Sequence, residues 1–280
     1  MKNITGNWKR RSKIFGLLAC LLICSSSLFA QQELPFQPGE QLDFVIYYKY
    51  GIMVKGGNAQ YLIRNSTFKG QPAIRTGLTF KTTGLLDAAY KVKDTLYSYF
   101  TPELLPIAHH KFLHEGKTIY TEKIEYKEFS EEFTSVQSKR IRPDGSLRFD
   151  TLLTAKGIGL DMLSIFAFIR TIDYPNLKAG DKILITSFVA KDAIPVYIRY
   201  IGQSIVDKGS VKYKALQFGI DFVADAFTDP KNAMEIWISD DENHIPLKLR
   251  AKLKIGAAEA ELTSAKNLKY PFDAKIEIRR

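Results

Sequence analysis

The chain has 280 residues, with 40 Lys and Arg against 30 Asp and Glu, a formal net charge of +10 and only two cysteines. That length can bury a full hydrophobic core without staples. Both cysteines, Cys20 and Cys24, lie near the start, so the remainder has no thiolate metal site, no cysteine nucleophile and no disulfide.

Residues 1–30 have the plan of a secretory signal peptide. Five cations (Lys2, Lys9, Arg10, Arg11, Lys13) precede an apolar run from Ile14 to Cys24, and small residues lead to Phe29-Ala30. The apolar run is short for a bilayer span. Cleavage after Ala30 is expected, leaving Gln31 first and residues 31–280 as a single β-rich domain with no integral membrane span. "GLLAC" at Gly16–Cys20 is similar to a lipobox, but Leu18 stands where a small residue is usual and apolar sequence continues past Cys20. Removing the signal leaves 35 cations against 30 acids, a net charge of +5. That modest charge and the export signal both argue against nucleic-acid binding.

Period-two alternation dominates from there. Leu42, Phe44, Ile46, Tyr48 and Tyr50 share one strand face, as do Ile74, Thr76, Leu78 and Phe80. Further strand-like runs are Val92–Phe100, Ile107–His114, Thr118–Lys127, Glu132–Ile141, Lys182–Ala190, Val196–Val206, Lys212–Phe222, Ala233–Ser239 and Ile245–Ile255. Turn signals fall at Gly56-Gly57-Asn58, Lys69-Gly70, Glu115-Gly116, Arg142–Gly145 and Lys208-Gly209. One segment differs. Gly159–Arg170 offers Asp161 as a helix cap ahead of Met162, Leu163, Ile165, Phe166, Phe168 and Ile169, which suits a short buried helix. A shorter helix is expected at Leu85–Tyr90, and Asp173–Ile183 is a loop returning to a strand. The expected fold is mainly β: a large antiparallel sheet, curled into a full or partial barrel, with the short helix buried in it.

His109, His110 and His114 cluster in sequence, but on a strand His110 and His114 stand about 13 Å apart while His109 points the other way. They are expected at the surface or rim, with no metal site. "KGIGLDM" lacks the third glycine of a dinucleotide fingerprint, and no G-x-S-x-G elbow is present. No catalytic residue, metal ligand or cofactor site is therefore assigned. In Ile245–Ile255 the cations Lys248, Arg250, Lys252 and Lys254 alternate with aliphatics. A turn at Gly256-Ala257 would set Lys254 against Glu259 and Lys252 against Glu261, giving a solvated face of paired charges. The inward aromatic face suggests a cavity lined by Phe44, Ile46, Tyr48, Tyr50 and Phe166.

Four stretches, Phe36–Tyr48, Asp161–Arg170, Leu177–Ile183 and Ile236–Leu249, together resemble the exported bacterial family called domain of unknown function 3108. Its most specific piece, W-I-S-D-D-x-x-x-I-P, spans Trp237 to Pro246 and includes Ser239, Asp240 and Asp241. Asp240 and Asp241 are expected as turn formers and His244 as a bystander. "LFAQ" is similar to the signal end of Bacteroidetes-type exported proteins. The resemblance implies an envelope or periplasmic location and a fold, with no catalytic residues to carry over. Three readings follow: a barrel-like module binding a lipid-like molecule, a filled scaffold that binds an envelope protein, and a glycan or lipid hydrolase for which no motif speaks.

Overall fold

The computed structural model describes residues 34–222, 233–253 and 256–276. The expected signal peptide, Ala30, Cys20, Lys254 and Ile255 lie outside these. The first eight strands are β1 (Gln41–Tyr50), β2 (Ile52–Phe68), β3 (Gln71–Thr82), β4 (Lys93–Phe100), β5 (Pro106–Glu115), β6 (Thr118–Phe129), β7 (Phe133–Ile141) and β8 (Leu147–Lys156). Helix α1 (Gly84–Ala89) sits between β3 and β4. After the short β9 (Gly159–Asp161) comes helix α2 (Met162–Arg170), then β10 (Lys182–Val189), β11 (Asp192–Asp207) and β12 (Lys212–Phe222). The chain closes with β13 (Met234–Ser239), β14 (Pro246–Lys252), β15 (Ala257–Lys266) and the two-residue β16 (Lys275–Ile276).

These strands form one sheet whose order is β8 back to β1, then β15 back to β9, with β16 added beside β12. Two meanders therefore meet at the β1–β15 ladder. Their far ends, β8 and β9, are consecutive in sequence and are drawn together. No ladder joins β8 to β9. The seam is closed instead by side chains: the Thr134 hydroxyl donates to Gly157 O at 2.9 Å and accepts from Gly159 N at 3.0 Å, and Ser138 donates to Ala190 O. Phe188 fills the join against Ile124, Val136, Leu153 and Ala155. The result is a nearly closed, barrel-like antiparallel sheet, with a parallel pairing at β9–β10. A twisted sheet of this many strands curls because each added strand rotates against the last.

The strand and helix readings of the sequence match the observed elements closely, and the differences have local causes. The Gly56-Gly57 pair makes no turn but lies inside β2. Ile46 faces Gly57 while Tyr47 faces Lys55, so Gly56 is the extra residue of a β-bulge. A Cβ on Gly57 would collide with the Lys81 carbonyl, and one on Gly56 would come within 2.6 Å of the Leu86 side chain. Glycine is there for close approach, not for a turn. Strands β2 and β8 lie outside the expected runs: glycines and Asn58 interrupt the pattern of β2, and β8 carries turn-like Asp and Thr residues among its aliphatics. The β14–β15 register also differs from the expected one. Lys248 faces Glu261 and Arg250 faces Glu259, because the connection is longer than two residues. The cations set opposite acids across the described ladder are therefore Lys248 and Arg250, while Lys252 faces Ala257 and Lys254 lies outside the described residues.

Helix α2 lies within the curl and divides the interior between two clusters. Leu163 and Ala167 pack with Phe44, Tyr61, Leu96 and Ile245, and Ile165 and Ile169 pack with Ile185, Ile198, Phe218 and Ile236. Residues four apart share a helix face, so each pair serves one cluster. Gly57→Ala is expected to lower thermal stability by roughly 1–3 kcal/mol, since backbone must move to admit the methyl. Gly56→Ala should cost less, because the tip of Leu86 can rotate away. Equal melting temperatures for the two variants would contradict this account.

Candidate functional site

Both ends of α2 are tied to the sheet through buried polar groups. At the N-terminus the Asp161 carboxylate caps the helix, accepting from Leu163 N at 3.1 Å and Ser164 N at 2.9 Å. It also accepts from the hydroxyls of Ser98 at 2.7 Å, Tyr126 at 3.1 Å and Ser164. His109 Nδ1 stands 3.1 Å from the same carboxylate and 2.9 Å from Ser98 Oγ. Asp161 and Ser98 are completely buried, and His109 nearly so. Burial alone would raise the Asp161 pKa, but the His109 charge and the converging donors outweigh it and bring it down from 3.8 to about 2. Burial raises the Tyr126 phenol well above its ordinary value, helped by the neighbouring Asp161 charge.

Serine, histidine and aspartate are thus gathered by the fold, yet the geometry is not that of a nucleophile. In a catalytic triad the imidazole separates serine from carboxylate, each on its own ring nitrogen. Here Ser98 donates directly to Asp161, and both meet the same imidazole nitrogen. The cluster joins α2 to β4, β5 and β6. His109 accordingly lies in the interior, correcting the expected rim position; the inward face of β5 carries it. His110 is half-buried, and burial lowers its pKa with help from the Lys123 charge.

At the C-terminus of α2, Arg170 makes a two-pronged pair with Glu40, at 2.6 and 2.9 Å, with both residues buried. Its remaining N–H groups donate to the carbonyls of Asn243 at 2.8 Å and Pro35 at 3.2 Å, and the guanidinium lies 4.9 Å from the Phe36 ring centre. The Asn243 loop is the W-I-S-D-D stretch. Asp241 accepts from Ser239 Oγ at 2.7 Å, Asn243 N at 3.1 Å and Ala274 N at 3.2 Å, while Ser239 accepts from Ile245 N at 2.9 Å. Asp241 forms the turn, as its sequence position suggests. The Asp240 carboxylate accepts from Gln203 at 3.3 Å. His244 is no bystander. Its Nδ1 is 3.1 Å from Arg170 O, its ring is 4.3 Å from that of Tyr174, and burial lowers its pKa. Trp237 lies on the opposite strand face, with Lys248 Nζ 6.0 Å from its ring centre.

Between the helix and the sheet remains an apolar cavity of about 240 Å³. Phe44 and Ile46 of β1, Ala59 of β2, Ala260 of β15, and Leu163 and Phe166 of α2 line it, together with Leu78, Phe80, Tyr61, Pro246 and Leu249. Arg170 also touches it. Its charge is held by Glu40, so the wall accessible from the cavity is apolar. Burial pushes the Tyr61 phenol well above 10, which keeps it neutral.

The structure therefore brings Phe44, Ile46 and Phe166 together around the hollow. Tyr48 is half-buried one row beyond it, and Tyr50 is 67% exposed at the hairpin tip. Pro246, a signature residue, is on the wall. Sequence reasoning missed Ala59, Tyr61, Ala260 and the Arg170–Glu40 pair. A lone arginine ending an otherwise apolar helix was the available signal for a buried acidic partner. Among the described residues no three His, Cys, Asp or Glu side chains are grouped to hold a metal, and no helix is long and apolar enough to cross a membrane.

The family model for "Protein of unknown function (DUF3108)" matches residues 43–263. The chain belongs to that family. No curated protein matches the sequence. Among solved structures, the chain is similar to a β-barrel-like protein of the DUF1849 family from Brucella abortus, at 10% identity and a TM-score of 0.55, covering 82% of this chain and 98% of that one. A protein with a YmcC-like fold from Bacteroides fragilis NCTC 9343 aligns at 8% identity and a TM-score of 0.35, over 84% of this chain and 98% of that one. The first likeness shows a shared β-barrel-like fold.

Two outcomes follow for this DUF3108 member. Asp161 has a depressed pKa, so its contribution is complete above 3.8 and is lost as pH falls through about 2. Asp161→Asn should lower stability at neutral pH by roughly 2 kcal/mol and flatten the stability profile across that acid window. An Asn variant with the parent's acid profile would refute the assignment. Arg170→Met strands Glu40 in the core and should cost about 3–5 kcal/mol, whereas Arg170→Met with Glu40→Leu should recover part of it. Denaturant titration of the three variants decides this.

Proposed function

We propose that the protein is an exported envelope or periplasmic module that holds one apolar or amphipathic molecule of lipid type, with its hydrocarbon portion against α2. The observation that carries the reading is the apolar cavity left between a rigidly anchored helix and the sheet. A cavity of about 150 Å³ in a protein core already accepts benzene, so 240 Å³ takes a longer hydrocarbon segment, on the order of eight to ten carbons. The floor beneath it is shallow because Ala59 and Ala260 stand where larger aliphatics would fill the space. Beyond the cavity, the same sheet face continues through Tyr48, with Ala258 and Val54 as its cross-strand partners. This row gives the rest of a longer chain an apolar path. The signal-peptide plan of the residue 1–30 sequence supports an envelope location, where acyl chains are available as apolar ligands.

Native mass spectrometry of protein purified from its own envelope should show a co-purifying lipid-like mass. Ala59→Leu with Ala260→Leu should abolish that mass, and the binding of an apolar fluorescent dye, while leaving the melting temperature within a few degrees. A protein that is empty in its own envelope and takes up no dye would remove the binding reading and leave the filled scaffold in its place.

A further inference from the structure

The tip of the β1–β2 hairpin presents large apolar side chains to solvent: Tyr50 is 67% exposed, Ile52 73% and Met53 48%. The end of β14 lies at the same edge, because β15 pairs Lys49 with Ala257 on one side and Lys252 with Ala257 on the other. There Leu253 is 47% exposed. Aliphatic and aromatic side chains gathered at one exposed tip mark a contact surface rather than stray exposure.

Among the described residues, the exposed charges at this tip are of one sign. Lys49, Lys55 and Lys252 are exposed beside it, and no acidic residue occurs between Phe44 and Asn58 or between Pro246 and Leu253. Farther along the same strand face, exposed Lys81 and Lys93 sit directly opposite one another in the β3–β4 ladder. Like charges in that position oppose each other and weaken a sheet. The Glu259 carboxylate, two residues beyond Ala257 on β15, is buried and paired with Lys248 and Arg250, and beside Lys81 and Lys93 Asp87 accepts from Thr82 and Asp94 from His114 N. An apolar tip collared by lysines is complementary to an anionic bilayer, in which aromatic and aliphatic groups enter the headgroup layer while ammonium groups meet phosphate.

We propose that the Tyr50–Met53 tip, with Leu253 beside it, docks on an anionic lipid surface. The tip continues the strand face that lines the cavity, since Phe44, Ile46, Tyr48 and Tyr50 alternate along β1. Docking would therefore set the apolar path against the bilayer, but the docking itself does not depend on what the cavity holds.

The test is flotation of the protein, purified after export, with vesicles of phosphatidylethanolamine and phosphatidylglycerol, against vesicles of phosphatidylcholine alone. Binding is expected to the anionic vesicles and to fall as salt is raised. Lys49→Gln with Lys55→Gln should weaken it about tenfold or more, and Tyr50→Ser with Ile52→Ser should abolish it. Both pairs are exposed, so unchanged melting temperatures and unchanged dye uptake by the cavity should accompany the loss. Equal binding to both vesicle types, or anionic binding that survives both pairs, would overturn the proposal. Concentration-dependent self-association that the Tyr50→Ser, Ile52→Ser pair removes, without vesicle binding, would overturn it in favour of a second copy of the chain. Loss of dye uptake with retained vesicle binding would instead count against the cavity reading alone.

Discussion

The Arg170–Glu40 pair is the constraint around which the interior is arranged. Two ions removed from water are expensive to bury, and the arrangement is stable only when every donor and acceptor finds a partner. Here Glu40 takes both prongs of the guanidinium, the Asn243 and Pro35 carbonyls take the remaining donors, and Phe36 covers the planar face. Those partners come from the segment leading into β1 and from the β13–β14 loop, while Arg170 itself ends α2. The pair therefore fixes the C-terminal end of α2 against the middle of the sheet, where the two meanders meet.

Asp161 does the same for the other end. Its carboxylate receives donors from β4, from β6 and from the first turn of α2, with the β5 imidazole alongside. A helix of nine residues has little stability of its own, because nucleation is costly and few internal bonds follow it. Its position is set by these two polar anchors and by apolar faces turned to the two halves of the core. The cavity follows from that placement. Where the sheet offers Ala59 and Ala260 opposite Leu163 and Phe166, a helix pinned at both ends cannot settle inward to close the gap.

The W-I-S-D-D stretch takes on a different meaning in this light. Ser239, Asp241 and Asn243 satisfy one another's backbone and also hold the C-terminal segment, through Ala274 N and the Tyr270 and Pro271 carbonyls. The same loop offers the Asn243 carbonyl to Arg170. A turn whose residues suggest local capping is thus also part of the helix anchor, and Pro246 just beyond it faces the cavity. Its chemistry is that of a structural joint connecting the sheet, the helix and the C-terminal segment.

The alternating runs were legible because a half-buried strand writes its burial directly into period two, and Asp161 was legible as a cap because capping is local. Phe44, Ile46 and Phe166 could be placed near an interior for the same reason. Other features depended on partners far away in sequence. Gly56 and Gly57 suggest a turn until Lys81 and Leu86 are seen against them. His109 suggests a rim residue until Asp161, 52 positions later, meets it. Arg170 and Glu40 are 130 residues apart. The sequence by itself determined the β class, the helix and its cap, and the apolar strand faces, since each depends on neighbours within a few residues. Only the tertiary structure decided which charges are buried together, which register pairs Lys248 and Arg250 of β14 with acids, and where the helix leaves a hollow. Those are set by contacts between distant segments, whose geometry no local pattern records.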